Sequence, residues 1–496
     1  MIYVTGIPLT KKTIGRRIDS KSRSLLLLSC LFLNACAVGP DYQQPQSPVP
    51  DSFANGTHAE FSTDNIEVGW WKLFNDQQLV ELINQTVAHN YQIQAARATL
   101  SEARALYLET GLNLLPQISS HANYNNLNRS VSALNGRAFA PRPLDLYNTG
   151  FDATWEADFF GRIRRNVEAS NDEVETQEAS LRDIGVSLIA EVARNYFQLR
   201  GLQQQLEVAE KNAENQAETL ALTRIKLDNG RGTELDTSRA LAQLETTRAT
   251  IPGLKTAVFQ SIHRLSVLSG QIPSALNDKL SPPQKLPLAP ESIQIGNPEQ
   301  LLKRRPDIRI AERLLAAATA RIGVATADFF PRVMFVGNMS IEGSTLANIT
   351  GPGSNTYAFG PRISWAFLDL GRVYARVKAA GAREEASLAN YQQTVLNALE
   401  ETENALVAYN QERIRRSALA TAAHASEKAN QLAHLRYQAG VADFLTVLDT
   451  ELRLLQDQSE LAQSETSVAT ALTAVYKALG GGWETAVEDS AVVPVN

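Results

Sequence analysis

Over most of this chain the apolar positions recur at alternating three- and four-residue spacing, and in a few short stretches that rhythm gives way to strict alternation. Between Arg162 and Asn229 there is no proline, and only Gly185 and Gly201 interrupt. Ile189, Val192, Tyr196, Leu199, Leu206, Ala213, Ala217, Leu220 and Leu227 then trace one coiled-coil seam, because residues three and four apart share a helix face. At ~1.5 Å per residue such a helix reaches ~100 Å, more than a globular core needs. The stretch Arg372 to Ala439 repeats the length, with Leu388, Tyr391, Val395, Ala398, Thr402, Ala405 and Tyr409 as its seam. A thin, alanine-rich seam suits helices laid side by side in a wall or tube.

The alternating stretches predict strands. Tyr147, Thr149, Phe151, Ala153, Trp155 and Ala157 fall on one face; Asn148, Asp152, Thr154, Glu156 and Asp158 fall on the other. Tyr357, Phe359, Ile363, Trp365 and Phe367 repeat the pattern opposite Gly360, Arg362 and Ser364, with partner strands expected near Gln117–Asn126 and Arg332–Glu342. Strands of roughly ten residues with an aromatic face and a polar face are what a membrane barrel with a wet interior requires. The alternative is a sheet covering one side of a soluble domain. Four strands cannot close a barrel, since about eight is the practical minimum, and open edges are not tolerated in lipid. The chain must therefore assemble, and counting alone allows two, three or four copies.

The pattern is also written twice. A shift of 215 residues places Tyr91–Ala96 on Pro306–Ala311 and Pro116 on Pro331; a shift of 210 places Tyr147 on Tyr357, Trp155 on Trp365, Gly161-Arg162 on Gly371-Arg372 and Gly230 on Gly440. Each copy reads as a helix of about 38 residues, a strand, a loop, a strand, a very long helix, a tight turn and a returning helix. Gly161 and Gly371 are expected to turn strand into helix, and Gly230 and Gly440 to open the turns between helices. The expected organisation is a leader over 1–35, an extended segment 36–75, a first repeat 76–270, a linker 271–297, a second repeat 298–480 and a tail 481–496.

Charge and cysteine usage place this architecture. Residues 1–35 carry net charge +5 and the remaining residues −11, an acidic balance that argues against nucleic acid as partner. The basic start runs into a short apolar core, Leu25 to Leu33, too short to span a bilayer and laid out like an export signal. It ends Leu33-Asn34-Ala35-Cys36, which reads as a bacterial lipobox. Cleavage would leave Cys36 at the N-terminus, carrying diacylglycerol and an N-acyl chain. Cys30 lies in the discarded core, so no internal disulfide is expected. No HExxH, CxxC, P-loop or GxSxG occurs, and the six histidines show no ligand spacing, so no catalytic site, metal or soluble cofactor is expected. Arg304 and Arg305 ahead of Pro306-Asp307 read as helix-start signals.

Several of these stretches are recognisable together. Cys36-Ala37-Val38-Gly39-Pro40-Asp41-Tyr42, Trp70-Trp71-Lys72-Leu73-Phe74-Asn75-Asp76, Arg304-Arg305-Pro306-Asp307-Ile308, Ile322-Gly323-Val324-Ala325 and Phe329-Phe330-Pro331 resemble the TolC-like outer-membrane efflux proteins, in the NodT-type lipoprotein branch that partners RND pumps. The resemblance implies a mainly α fold with a small membrane β part: a homotrimer whose twelve-stranded barrel, four strands per chain, stands on a helical tunnel through the periplasm. It implies a periplasmic adaptor and an inner-membrane RND-type pump as partners. It also implies a gate at the helix turns, where Tyr437, Asp236 and Asp449 match family positions. Thr446 stands where some members have a ring aspartate, and Asp443 is a candidate substitute. The expected function is a passive exit duct for small compounds. Alternatives are a coiled-coil scaffold or adaptor without a pore, or the exit duct of a protein-secretion system. Acids expected on the lumen face, Asp152, Glu156 and Asp158, predict a mild cation preference.

Overall fold

The computed structural model describes residues 37–46, 49–58, 60–64, 66–128, 144–287, 289–290 and 292–483. Cys36, the 1–35 leader and residues 484–496 lie outside the described residues. The elements run β1 (Phe61–Ser62), a 3₁₀ turn (Trp70–Phe74), α1 (Gln77–His89), α2 (Tyr91–Leu112), β2 (Gln117–Leu127), β3 (Leu144–Ala157), α3 (Arg162–Asp228) and α4 (Glu234–Leu268). They continue as α5 (Asn277–Leu280), β4 (Ile293–Gln294), α6 (Pro298–Arg304), α7 (Pro306–Ala327), β5 (Arg332–Gly343), β6 (Asn355–Ser364), α8 (Leu370–Gln438) and α9 (Phe444–Ala478). The fold is mainly helical. The long helices hold 67 and 69 residues, and each returning helix holds 35.

The two copies close their turns with the same bonds. Gly230 (φ 69°) and Gly440 (φ 74°) adopt the left-handed conformation. Arg231 N donates to Lys226 O and Val441 N to Arg436 O, both six-residue closures of a Schellman type. Trp155 Nε1 donates to Leu114 O (2.9 Å) and Trp365 Nε1 to Phe329 O (3.0 Å), again the same bond in both copies.

Three local expectations are corrected. The single helix of about 38 residues is two helices in each copy. In the first, Asn90 is extended (ψ 130°) and its Oδ1 accepts from Gln92 N. In the second, Pro306 forces Arg305 to extended geometry (ψ 122°). Gly371 lies inside the first turn of α8 without positive φ, so only Gly161 (φ 79°) makes the strand-to-helix turn by a left-handed residue. Trp365 and Phe367 lie beyond the end of β6 at Ser364.

The chain divides into two compact units. One comprises residues up to Asp41 with Thr110–Glu168 and Ala320–Ala380. It holds an antiparallel four-stranded sheet in the order β2-β3-β5-β6. The other, Tyr42–Glu109, Ala169–Thr319 and Gly381–Asn496, holds the helical core. There the seam positions Ile189, Val192, Tyr196, Leu199, Tyr391, Ala398 and Thr402 are 0–2% exposed. Trp70 stacks on Tyr476 with ring centres 5.0 Å apart, and Phe74 meets Phe197 at 4.7 Å. Burying each such aromatic contributes about 2–3 kcal/mol. Asp76 caps α1 through Gln78 N and Leu79 N and accepts the Tyr196 hydroxyl at 2.6 Å, tying the extended segment to α3.

Candidate functional sites: the N-terminal seat, the sheet faces and the helix turns

The first described residues, 37–41, sit in a groove that only small residues allow. Val38 N donates to Phe160 O at 3.1 Å. Gly39 (φ 98°) lies against Gly323, where a Cβ would stand 2.4 Å from Gly323 Cα; one on Gly161 would stand 2.5 Å from Ala37 Cβ. The Arg165 guanidinium, buried, donates to Val38 O (3.3 Å), Glu168 (2.8 Å) and Asp41 (2.5 Å). The residue following Cys36 is thus held against the junction of β3 and α3. Gly39 and Gly323 lie in stretches that carry the family resemblance, whereas Arg165 did not stand out in the sequence. Gly323→Val should expel residues 37–41 at an overpacking cost of about 1–3 kcal/mol. Limited proteolysis ahead of Tyr42 should then be about tenfold faster with helical content unchanged; equal cleavage would contradict the seat.

The register of the sheet sorts its side chains onto two faces. Phe151, Met339 and Tyr357 lie in one row across β3, β5 and β6, and Trp155 stacks on its partner Phe335 at 5.7 Å. With Ile118, Tyr124, Phe359 and Ile363 these side chains are 38–76% exposed, an apolar face left uncovered among the described residues. The other face is polar and cross-linked. The His121 ring meets Asp152 Oδ2 (2.7 Å) and Asn148 Oδ1 (2.6 Å), Asn148 Nδ2 donates to Glu342 Oε1 (3.0 Å), and Ser340 bonds Thr356 (2.7 Å). The three acids expected to favour cations are not three free charges. Glu156 accepts both Arg162 Nε and Nη2. Asp158 lies past the end of β3, where it accepts Ile163 N and Arg164 N. Only Asp152 remains, beside His121.

At the turns, Tyr437 is buried and packs on Phe444 with ring centres 5.7 Å apart. Burial raises its hydroxyl pKa, and the Asp236 charge adds to the shift. Asp236 itself accepts the Thr233 hydroxyl at 2.7 Å. Among the described residues no hydrogen bond joins Tyr437 to Asp236, so they are neighbours in charge only. Asp443 is the N-cap of α9, accepting Thr446 N (3.0 Å) and Thr446 Oγ1 (2.6 Å). The bonds from Thr446 hold its carboxyl below the usual range. Its geometry is that of a cap, and Thr446 is its partner. Asp449 is exposed on α9. One residue that sequence reasoning missed joins this group: Lys226, whose Nζ reaches Tyr437.

Among the described residues no helix is long and apolar enough to cross a membrane, and no group of three His, Cys, Asp or Glu side chains is placed to hold a metal. Arg305, nearly buried, bonds Ala478 O (2.7 Å), Asp307 and Glu401, so this motif ties the start of α7 to the end of α9.

The chain as a whole is similar to known proteins. Nodulation protein T of Rhizobium leguminosarum bv. trifolii is 28% identical over 454 residues, 91% of this chain and 96% of that protein. Cation efflux system protein CusC of Escherichia coli O6:H1 is 30% identical over 461 residues, 92% of this chain and 97% of that protein. The solved structure of the outer-membrane channel OprN superposes with a TM-score of 0.84 at 39% identity, covering 90% of this chain and all of that one. The family described as outer membrane efflux protein matches residues 82–271 and again 297–481. With most of its length matched in this way, the chain belongs to the outer membrane efflux protein family.

Proposed function

We propose that three copies of this outer-membrane efflux channel associate so that their four-stranded sheets close one twelve-stranded barrel and their long helices form a tunnel. The observation that carries this reading is the sheet: among the described residues its apolar face is uncovered, its opposite face is polar, and β2 and β6 leave both edges open. Lipid satisfies the first, water inside a barrel the second, and neighbouring copies the third. The duct works with a periplasmic adaptor and an inner-membrane RND-type pump, which supplies the energy. A diacylglycerol and N-acyl chain on Cys36 tether it, and residues 37–41 bring that tether to the β3–α3 junction. The turns around Tyr437, Asp236 and Asp449 close the tunnel at rest through a few contacts worth ~1 kcal/mol each.

Purified protein in a planar bilayer is expected to carry steady ionic current, and chemical crosslinking to stop at three chains. No current overturns the duct; crosslinking that stops at another number overturns the trimer.

A further inference from the structure

At the turns a lysine of the first copy contacts a tyrosine of the second. Lys226 is in the last turn of α3, and Tyr437 is in the last turn of α8. Lys226 Nζ lies 3.4 Å from the centre of the Tyr437 ring and donates to the Tyr437 carbonyl oxygen at 2.8 Å. That carbonyl also accepts Gly440 N, the amide that opens the second turn. One ammonium therefore grips both the ring and the backbone of the turn. Among the described residues no carboxylate pairs with Lys226, and its contacts are to Tyr437. The ring lies in a small apolar cluster with Leu220, Leu244, Phe444 and Val447, separate from the main core. So small a cluster resists opening weakly, and a single cation–π contact is a large share of its cohesion.

We propose that Lys226 is the positioning residue of the gate: it latches the first hairpin's turn to the second's through the ring and carbonyl of Tyr437, not through the tyrosine hydroxyl. This rests on the reading of the turns as a gate. The latch is directional. At the equivalent positions the second copy has Arg436 and the first has Leu227, and an aliphatic side chain offers no π face. The same pair therefore cannot form at the seam where a second hairpin meets a first hairpin of the next chain. The mouth is held within each chain and yields between chains.

The test compares single-channel currents of full-length variants in a planar bilayer. Lys226→Met, which keeps the stem and removes the charge, is expected to raise open probability about tenfold. Tyr437→Leu should match it, and the double variant should exceed neither, because both remove one contact. Lys226→Arg should rescue the closed state. Wild-type current from Lys226→Met, beside raised current from Tyr437→Phe combined with Asp236→Ala, overturns the latch and leaves the gate standing. Wild-type current from both overturns the gate as well. A readout independent of conduction is amide exchange at 440–442, expected to be about tenfold faster in Lys226→Met with exchange in α1 unchanged. Unchanged exchange at the turn overturns the proposal.

Discussion

Aspartate at both Phe151 and Phe359 should keep the protein out of lipid while its long helices stay folded. Both rings stand on the uncovered face, 62% and 72% exposed. Phe359 lies over its partner Gly337, whose missing side chain makes room for the ring: a Cβ there would stand 2.6 Å from it. A charge on the lipid face costs on the order of 2 kcal/mol at mid-depth, somewhat less for an acid. Two such acids on one sheet together take a large share of a marginally stable fold's free energy. Flotation with liposomes should fall to background with far-UV circular dichroism unchanged. The control is Asn123→Asp with Asn338→Asp, which adds the same charge to the polar face and should leave flotation intact. If all variants float alike, the assignment of faces is wrong.

The second large effect is expected at Gly201, in the middle of α3. A Cβ there would stand 1.8 Å from Thr466 Oγ1 and 2.9 Å from both Thr466 Cβ and Cγ2, so α3 and α9 cross too closely for any side chain. The energetic comparison is one-sided. Replacing glycine in a helix gains up to about 1 kcal/mol of propensity, whereas overpacking a fitted contact costs about 1–3 kcal/mol. Gly201→Val should therefore lower the midpoint of thermal helix loss in detergent by several degrees, of the order of 2–4 °C per kcal/mol. Adding Thr466→Ala, which removes two of the three crowding atoms, should return part of the loss. Wild-type stability of Gly201→Val would show that the crossing relaxes freely.

These two sites mark how far residue patterns reach. The two faces of the sheet were legible because strand side chains alternate: Phe151 and Asn148 differ in parity, and parity alone assigns a face. The helix seams were legible for the same reason, since Ile189 and Val192 are three apart on one helix. Gly201 was visible only as an interruption in an otherwise continuous helix, because the atom that excludes its side chain belongs to a residue 265 positions away.

Distance along the chain explains the remaining differences. Asn90 breaks a helix that periodicity runs through, because its side chain caps α2 and also donates to Leu268 O from another element. Glu156 and Asp158 read as free acids until β3 meets α3 and brings Arg162 and the first amides of α3 to them. Asp443 was a candidate substitute for the ring acid whose position Thr446 holds, but the two residues form an N-cap. That one was legible locally and was outweighed by the family pattern.

Residue order was enough to specify the long helices, the two-faced strands and the turns at Gly230 and Gly440. All of these follow from periods of two and about 3.6 residues and from the conformational freedom of glycine, which act within a few positions of each other. The seat of residues 37–41 on Gly323 and Arg165, the neutralised acids at the end of β3, and the hold of Lys226 on Tyr437 required the folded chain. Each joins groups that are adjacent only after packing, and charge and steric contact act through space over a few ångströms, whatever the separation in sequence.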